Sequence, residues 1–187
     1  TQLQSSAASD VYKRQGCIAI IAGLVIGIKS AKGEESLLPD RVVERECMAE
    51  AILFEAGNQP IVGKLAVAEV ILNRVRSDKY PNTICGVVHE GPIYKWFKVN
   101  LDKEIPVKHK CQFSYYCDGK SDSIEPYLRT KTWQDVLKVV IYIMHRREPY
   151  ISNLLQGATH YHADYVNPSW AKTLTRIVKI ENHIFYK

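Results

Sequence analysis

The sequence is short of the features that mark most specialised chains. Nowhere in its 187 residues do five like charges stand together, so no dedicated nucleic-acid arm is written into it and no nucleic-acid partner is expected. No glycine-rich phosphate loop occurs, and no G-x-S-x-G elbow, which removes the usual signatures of nucleotide binding and of serine hydrolases. The cysteines form no C-x-x-C pair, and no second Cys/His pair follows at zinc-finger spacing, which speaks against a structural zinc. No apolar run reaches the ~20 residues that cross a bilayer comfortably. What remains is ordinary globular material: 46% hydrophobic, 24% charged, and a formal charge of 25 − 20 = +5. The length suits one domain with a real core.

The chain divides unevenly. Residues 1–15 are polar and are set aside as a non-native or disordered leader. From Gly16 the chain reads GCIAIIAGLVIGI, with Lys13 and Arg14 before it and Lys29 and Lys32 after it. A run this short fits the ~7–15 residues of a signal-peptide core better than a span, so residues 16–32 are expected to be a signal peptide or weak signal-anchor. The protein is then exported to the periplasm or cell envelope, with a possible attachment to the inner membrane. Cysteine usage agrees. Cys47, Cys85, Cys111 and Cys117 are an even set downstream of the apolar run, able to form two disulfides with three possible pairings.

Residues 40–187 read as the functional domain. Asp40 is a plausible N-cap and Gly57 a plausible C′ residue for a helix in which Val43, Cys47, Met48, Ala51 and Ile52 form an apolar stripe. A second helix, IVGKLAVAEVILNRVR, is apolar nearly all round and should be buried. Residues 84–126 are loop-rich, a third helix spans about 132–146, and the C-terminal segments THYHADYV and TLTRIVKIENHIFYK alternate as strands, with Glu181 and Asn182 as a turn. Helices followed by a small antiparallel sheet imply an α+β fold.

Glu55 is the residue that carries chemistry. Three, four and seven places before it stand Ile52, Ala51 and Met48, so its carboxyl lies on the apolar stripe, where burial favours the neutral form. It also lies in the last helical turn, where the negative end of the helix dipole opposes a second negative charge. A carboxyl kept protonated near neutral pH is what a general acid needs to protonate a leaving glycosidic oxygen. The plainer alternative is a helix-end carboxylate paired with Arg74 or Lys64. Glu46 and Glu50 fall with Arg45 on what reads as a solvated face.

Several ordered segments, Glu55-Ala56 with Pro60 and Gly63, LAVAEVILNRV, Pro81-Asn82-Thr83-Ile84-Cys85, CQFSYYCDG and ATHYHADYVNPSW, together resemble the SleB-type cell wall hydrolases, a family that includes spore cortex-lytic enzymes and phage relatives. The resemblance implies a lysozyme-like helical lobe with a small antiparallel β-sheet, acting on peptidoglycan glycan strands. It also implies a lytic transglycosylase or muramidase, lytic transglycosylation being the family's reaction, with Glu55 as the single acid and base, and no cofactor. This chain departs from the common E-A-R-G-E pattern, reading Glu55-Ala56-Gly57-Asn58-Gln59, so a second carboxylate at that place is lacking.

Around Glu55, a substrate-binding set is expected in Asn73, Gln112, Phe113, Ser114, Tyr115, Asp118, His160, Tyr161 and His162, since rings pack on sugar faces while amides and hydroxyls bind sugar edges. His160, His162 and Asp164 also share a strand face in an H-x-H-x-D series. They raise the alternative of a zinc-dependent N-acetylmuramoyl-L-alanine amidase. The leading expectation has no metal. A non-catalytic wall-binding module is the third reading, and the protein is expected to act as a monomer.

Overall fold

A computed structural model of the chain describes residues 38–145 and 149–187. The leader and the signal or anchor segment expected at 1–32 lie outside the described residues. Among those described, no helix is long and apolar enough to cross a membrane.

Helix α1 runs Leu38–Ala56. It starts two residues before Asp40, which therefore lies in its first turn and not at its cap. Cys47, Met48, Ala51 and Ile52 are buried as their spacing requires, whereas Val43 is half exposed at 51%. Just past its end the backbone accommodates only glycine at 57. A Cβ there would stand 2.3 Å from the carbonyl oxygen of Leu53.

Helix α2, Ile61–Val75, packs against α1 and against α3 (Ile84–Val88), α5 (Lys131–His145) and α6 (Pro149–Leu155). Its all-round apolarity now has a cause. Val67, Ala68 and Ile71 belong to a core shared with α1, α3 and α5, while Ala66 and Val70 belong to a second core shared with α6 and the sheet. Its buried charges each make at least one bond, although Arg74 Nη1 is buried without a partner. Lys64 donates to the carbonyls of Gly57 and Gln59, Glu69 accepts from Arg76 (2.9 Å) and Ser152 (2.8 Å), and Arg74 Nε donates to the Thr159 carbonyl at 2.8 Å. These bonds are what make buried charge tolerable.

The loop-rich middle holds α4 (Lys95–Leu101) and a 3-10 turn at Ser114–Cys117. Two disulfides secure this half. Cys47 on α1 is bonded to Cys85 on α3, and Cys111 to Cys117 across six residues. Helix α5 buries Val136, Val139, Val140 and Ile143 on one face, as its spacing implies.

The sheet is antiparallel with order β1-β3-β2, from β1 (His160–Ala163), β2 (Arg176–Ile180) and β3 (His183–Tyr186). Glu181 and Asn182 form the expected turn, with Glu181 at φ 50°. Cross-strand partners share a face. Tyr161 faces Phe185 and Ala163 faces His183, so these four side chains form the inner face, turned toward the helices. The architecture is the α+β, lysozyme-like one expected, a helical lobe with a small antiparallel sheet set against the end of α1.

Candidate active site

Glu55 is the penultimate residue of α1, and β1 brings Tyr161 to it across 106 residues of sequence. The Tyr161 hydroxyl donates to Glu55 Oε2 at 2.8 Å. Burial pushes the Glu55 carboxyl above the usual carboxylate range, while the Tyr161 hydrogen bond and the positive charge of Arg74 pull the other way. Tyr161 is itself held well above the ordinary phenol range, by burial first and by Glu55, so it remains a donor. Oε2 is thereby occupied, while Oε1 takes no hydrogen bond among the described residues. The alternative pairing forms no hydrogen bond: Lys64 Nζ and Arg74 Nε donate to backbone carbonyls, and Arg74 acts on Glu55 through its charge alone.

Two hollows of about 520 Å³ and 660 Å³ meet at this carboxyl, and Phe54, Glu55, Tyr127, Ala163, Tyr165 and His183 line both. The two adjacent hollows make up the two halves of a groove, and Glu55 is among the residues common to both. The first half ends at Asn58 and Gln59. Gln59 Oε1 accepts from the Asn182 N–H at 3.5 Å, so the amide at the place of the missing carboxylate ties the β2–β3 turn to the helical lobe.

The expected site residues divide. Ser114, Tyr115, Asp118, Tyr161 and His162 border the second half of the groove with Glu55. Tyr115 stacks on Phe54 with ring centres 4.8 Å apart, and its buried hydroxyl has no hydrogen-bond partner. Burial, with Glu50 and Glu55 nearby, raises its pKa far above that of an ordinary phenol. Asp118 accepts from the Lys120 N–H at 2.7 Å, the main influence holding its carboxyl low.

Asn73, Gln112, Phe113 and His160 border neither half. Asn73 donates to the Ala158 carbonyl at 3.0 Å, joining α2 to the start of β1. Phe113 is buried core, with the Arg74 guanidinium 5.2 Å from its ring centre. Gln112 is exposed, its backbone N–H donating to Glu90. His160 points to the other face of β1, where its ring lies 5.5 Å from that of Trp170.

In the H-x-H-x-D series, His160 and His162 share a face and both meet Trp170, at 5.5 Å and 5.6 Å, but the side chains bond elsewhere. His162 Nδ1 bonds the Ala163 carbonyl at 2.8 Å, which makes Nδ1 the donor and Nε2 the acceptor for the Tyr186 hydroxyl at 2.9 Å. Asp164 pairs with Lys179 at 2.7 Å. No cluster of three or more His, Cys, Asp or Glu able to hold a metal occurs among the described residues.

Sequence reasoning passed over Phe54, Tyr127, Tyr165 and His183, all of which line the groove. Tyr165 stands 84% exposed at its mouth, where a ring can pack on a sugar face. Glu50 also departs from expectation. It is half-buried, and burial with the nearby Asp122 raises its pKa, because the 118–125 loop folds over a helix face that looked solvated.

A profile of the family described as Cell Wall Hydrolase matches residues 58–186. A spore cortex-lytic enzyme of Bacillus cereus is 30% identical over 142 residues, which make up 76% of this chain and 43% of that protein. One from Halalkalibacterium halodurans is 47% identical over 45 residues, 24% of this chain and 14% of that protein. The solved catalytic domain of the germination-specific lytic transglycosylase SleB from Bacillus anthracis has a TM-score of 0.52 and 29% identity, over 77% of this chain and 93% of that domain. The chain thus spans less than half the length of the Bacillus cereus protein, and corresponds to nearly all of a catalytic domain.

Proposed function

The chain belongs to the cell wall hydrolase family, and from that membership we propose that it cleaves the glycan strand of peptidoglycan by lytic transglycosylation, with Glu55 as its acid and base. The observation that carries this reading is the carboxyl itself: half-buried, its pKa raised by burial, bonded by Tyr161 on one oxygen, and common to the lining of both hollows. A structural relative is named as a lytic transglycosylase over nearly its whole catalytic domain.

The chemistry follows from the two oxygens. Protonated Oε1 gives its proton to the bridging glycosidic oxygen as the bond to the anomeric carbon breaks, and the leaving sugar departs as an alcohol. Glu55 is now a carboxylate. The Tyr161 bond becomes charge-assisted and the Arg74 charge favours the anion, so burial does not force the proton straight back. The carboxylate then takes the proton of the sugar's own 6-hydroxyl as that oxygen bonds to the anomeric carbon, closing an anhydro ring and restoring the acid. One carboxyl serves both steps, which accords with Gln59 standing where a second carboxylate is common.

A peptidoglycan substrate lies outside the cytoplasm. Two disulfides suit an oxidising compartment, so export to the cell envelope is part of the proposal. Exposed aromatic side chains, Tyr165 foremost, supply the sugar-stacking surface.

Mass spectrometry of fragments released from purified peptidoglycan tests the reading. Anhydro-muramic acid ends are the expected product. Reducing ends would mean that water replaces the 6-hydroxyl, as in a muramidase. Free stem peptides with intact glycan would overturn the proposal in favour of an amidase, and binding without release would favour a wall-binding module.

A further inference from the structure

Residues 92–107 form a finger with almost no share in the core. Its base is closed by a bridge between Ile93 and Pro106. Two backbone bonds reinforce that bridge, from the Tyr94 N–H to the Ile105 carbonyl (2.9 Å) and from the Val107 N–H to the Pro92 carbonyl (2.8 Å). Helix α4 fills the finger and ends at Asp102, which takes φ 47°. A helix with apolar side chains ordinarily hides one face in the core, yet no residue of α4 is buried. Trp96 is 62% exposed and Val99 81%, and Ile93, Tyr94, Leu101 and Ile105 are exposed beside them.

Positive charge surrounds these side chains. Across residues 92–110 five lysines, Lys95, Lys98, Lys103, Lys108 and Lys110, stand against two carboxylates. One lysine answers both carboxylates, since Lys98 Nζ lies 2.9 Å from Asp102 and 3.0 Å from Glu104. The other four lysines make no ion pair among the described residues. Exposed apolar groups gathered on one element mark an interaction surface, and the unpaired cations select the partner. Aliphatic side chains gain little from the hydroxyl-covered edges of a glycan, and lysines gain little from an apolar protein face. The boundary of an anionic bilayer answers both, taking the apolar groups toward its acyl chains and the lysines among its headgroup phosphates. Tryptophan favours that same depth.

We infer that the finger of residues 92–107 is a membrane-docking element, which lays α4 on an anionic lipid surface with Trp96 and Val99 in the interface and Lys95 and Lys103 against the headgroups. This goes beyond the proposed cleavage and does not depend on it. The finger is rooted beside the loop that carries Ser114 and Tyr115: the His109 N–H donates to the Cys117 carbonyl and the Gln112 N–H to the Glu90 carbonyl, both at 2.9 Å. None of residues 92–110 lines either half of the groove, so the element that docks is separate from the residues that cleave.

The test titrates the full chain with vesicles of phosphatidylcholine and phosphatidylglycerol in equal parts, their acyl chains brominated to quench tryptophan on contact. Since the apolar run of residues 16–28 is also expected to favour lipid, the readout is taken at Trp96 and not from total binding. The parent should show a blue shift and loss of emission on these vesicles, and neither on phosphatidylcholine alone. Trp96→Phe should abolish the quenching, because the remaining Trp133 and Trp170 pack on the helical core and against the sheet. Val99→Asp should raise the lipid needed for half-maximal quenching at least roughly tenfold, and the pair Lys95→Gln with Lys103→Gln roughly 30-fold. Every variant should keep the parent's Tm and its rate on soluble glycan strands, since these side chains are neither buried nor in the groove. An unquenched parent overturns the inference, as does quenching that Val99→Asp and the lysine pair leave unchanged. Retention on purified wall polymer that Val99→Asp abolishes, with no quenching by vesicles, would likewise overturn it and assign the finger to the wall.

Discussion

Replacing Tyr161 by phenylalanine deletes one oxygen atom from a ring whose packing, against His183 at 5.1 Å and Phe185 at 5.7 Å, is otherwise retained. What is lost is the 2.8 Å bond to Glu55 Oε2. A hydrogen bond to a charged group contributes about 1.5–3 kcal/mol. Since ~1.36 kcal/mol is a factor of ten in rate, kcat should fall roughly 10- to 100-fold, because the bond is strongest once Glu55 has given up its proton. The pH profile carries the more specific signature. Burial raises the Glu55 pKa, and the Tyr161 bond is the first of two influences lowering it. Without that bond Glu55 stays protonated to higher pH, so the alkaline fall in activity should move to higher pH.

Stability follows the same sign. Because the folded-state pKa of Glu55 lies above its unfolded value, the contribution of this group is present below about pH 4.5 and is lost as pH rises through the folded pKa. In Tyr161→Phe the loss is deeper. The Tm gap between the variant and its parent should therefore be small near pH 4 and wide at alkaline pH. Turbidity clearance of purified peptidoglycan across pH, with Tm measured in the same buffers, checks both. An alkaline limb that stays in place or moves to lower pH would refute the assignment of Tyr161 as the donor to Glu55.

The two disulfides should separate in effect. The Cys47–Cys85 bridge closes 38 residues, for which loop-closure entropy gives about 4 kcal/mol, against about 2 kcal/mol for the six residues closed by Cys111–Cys117. Paired serine substitutions followed by urea titration should rank them in that order, and equal losses would contradict it. Since the smaller loop carries Ser114 and Tyr115 to the groove, its removal should lower glycan affinity more than its stability cost alone explains. Gly57→Ala should destabilise by about 1–3 kcal/mol, because its Cβ would meet the Leu53 carbonyl at 2.3 Å. An unchanged denaturation midpoint would show that the α1 terminus yields without cost.

How much of this was legible in the sequence depended on the range of the interaction. Helices α1, α2 and α5 declare themselves by sustained periodicity, whereas α3 and α4 are too short to do so and α6 begins at a proline beside an unremarkable segment. The hairpin of β2 and β3 follows from alternation and its turn, but the central place of β3 depends on pairing with β1 at sequence separations of 20 (Ala163 to His183) to 26 (His160 to Tyr186). Glu55 stands out because a carboxylate on an apolar stripe is a local contradiction. Tyr161 drew notice as a sugar-stacking ring, and its bond to Glu55 was invisible because it spans 106 residues. Asn73 and Phe113 read as site residues because their neighbours suggest a cleft, whereas Asn73 ties α2 to the start of β1 and Phe113 lies in the core. His183 escaped because one histidine in an alternating strand looks ordinary. The usable signal was its alternation with the buried Phe185, which placed it on the inner face. Glu50 misled because helical periodicity cannot foresee a loop folding over the helix.

The central claim is that one carboxyl, Glu55, performs both proton transfers. It is tested most directly by digesting purified peptidoglycan with the wild-type protein and with Glu55→Gln in parallel, each shown to be folded by its Tm, and counting anhydro-muramic acid ends by mass spectrometry. The account predicts abundant anhydro ends from the wild type and a fall of at least roughly 100-fold in the variant. It also predicts a Tm for Glu55→Gln equal to or above that of the wild type at neutral pH, since the amide removes a buried ionisable group. A folded Glu55→Gln protein that releases anhydro ends at the wild-type rate would contradict it.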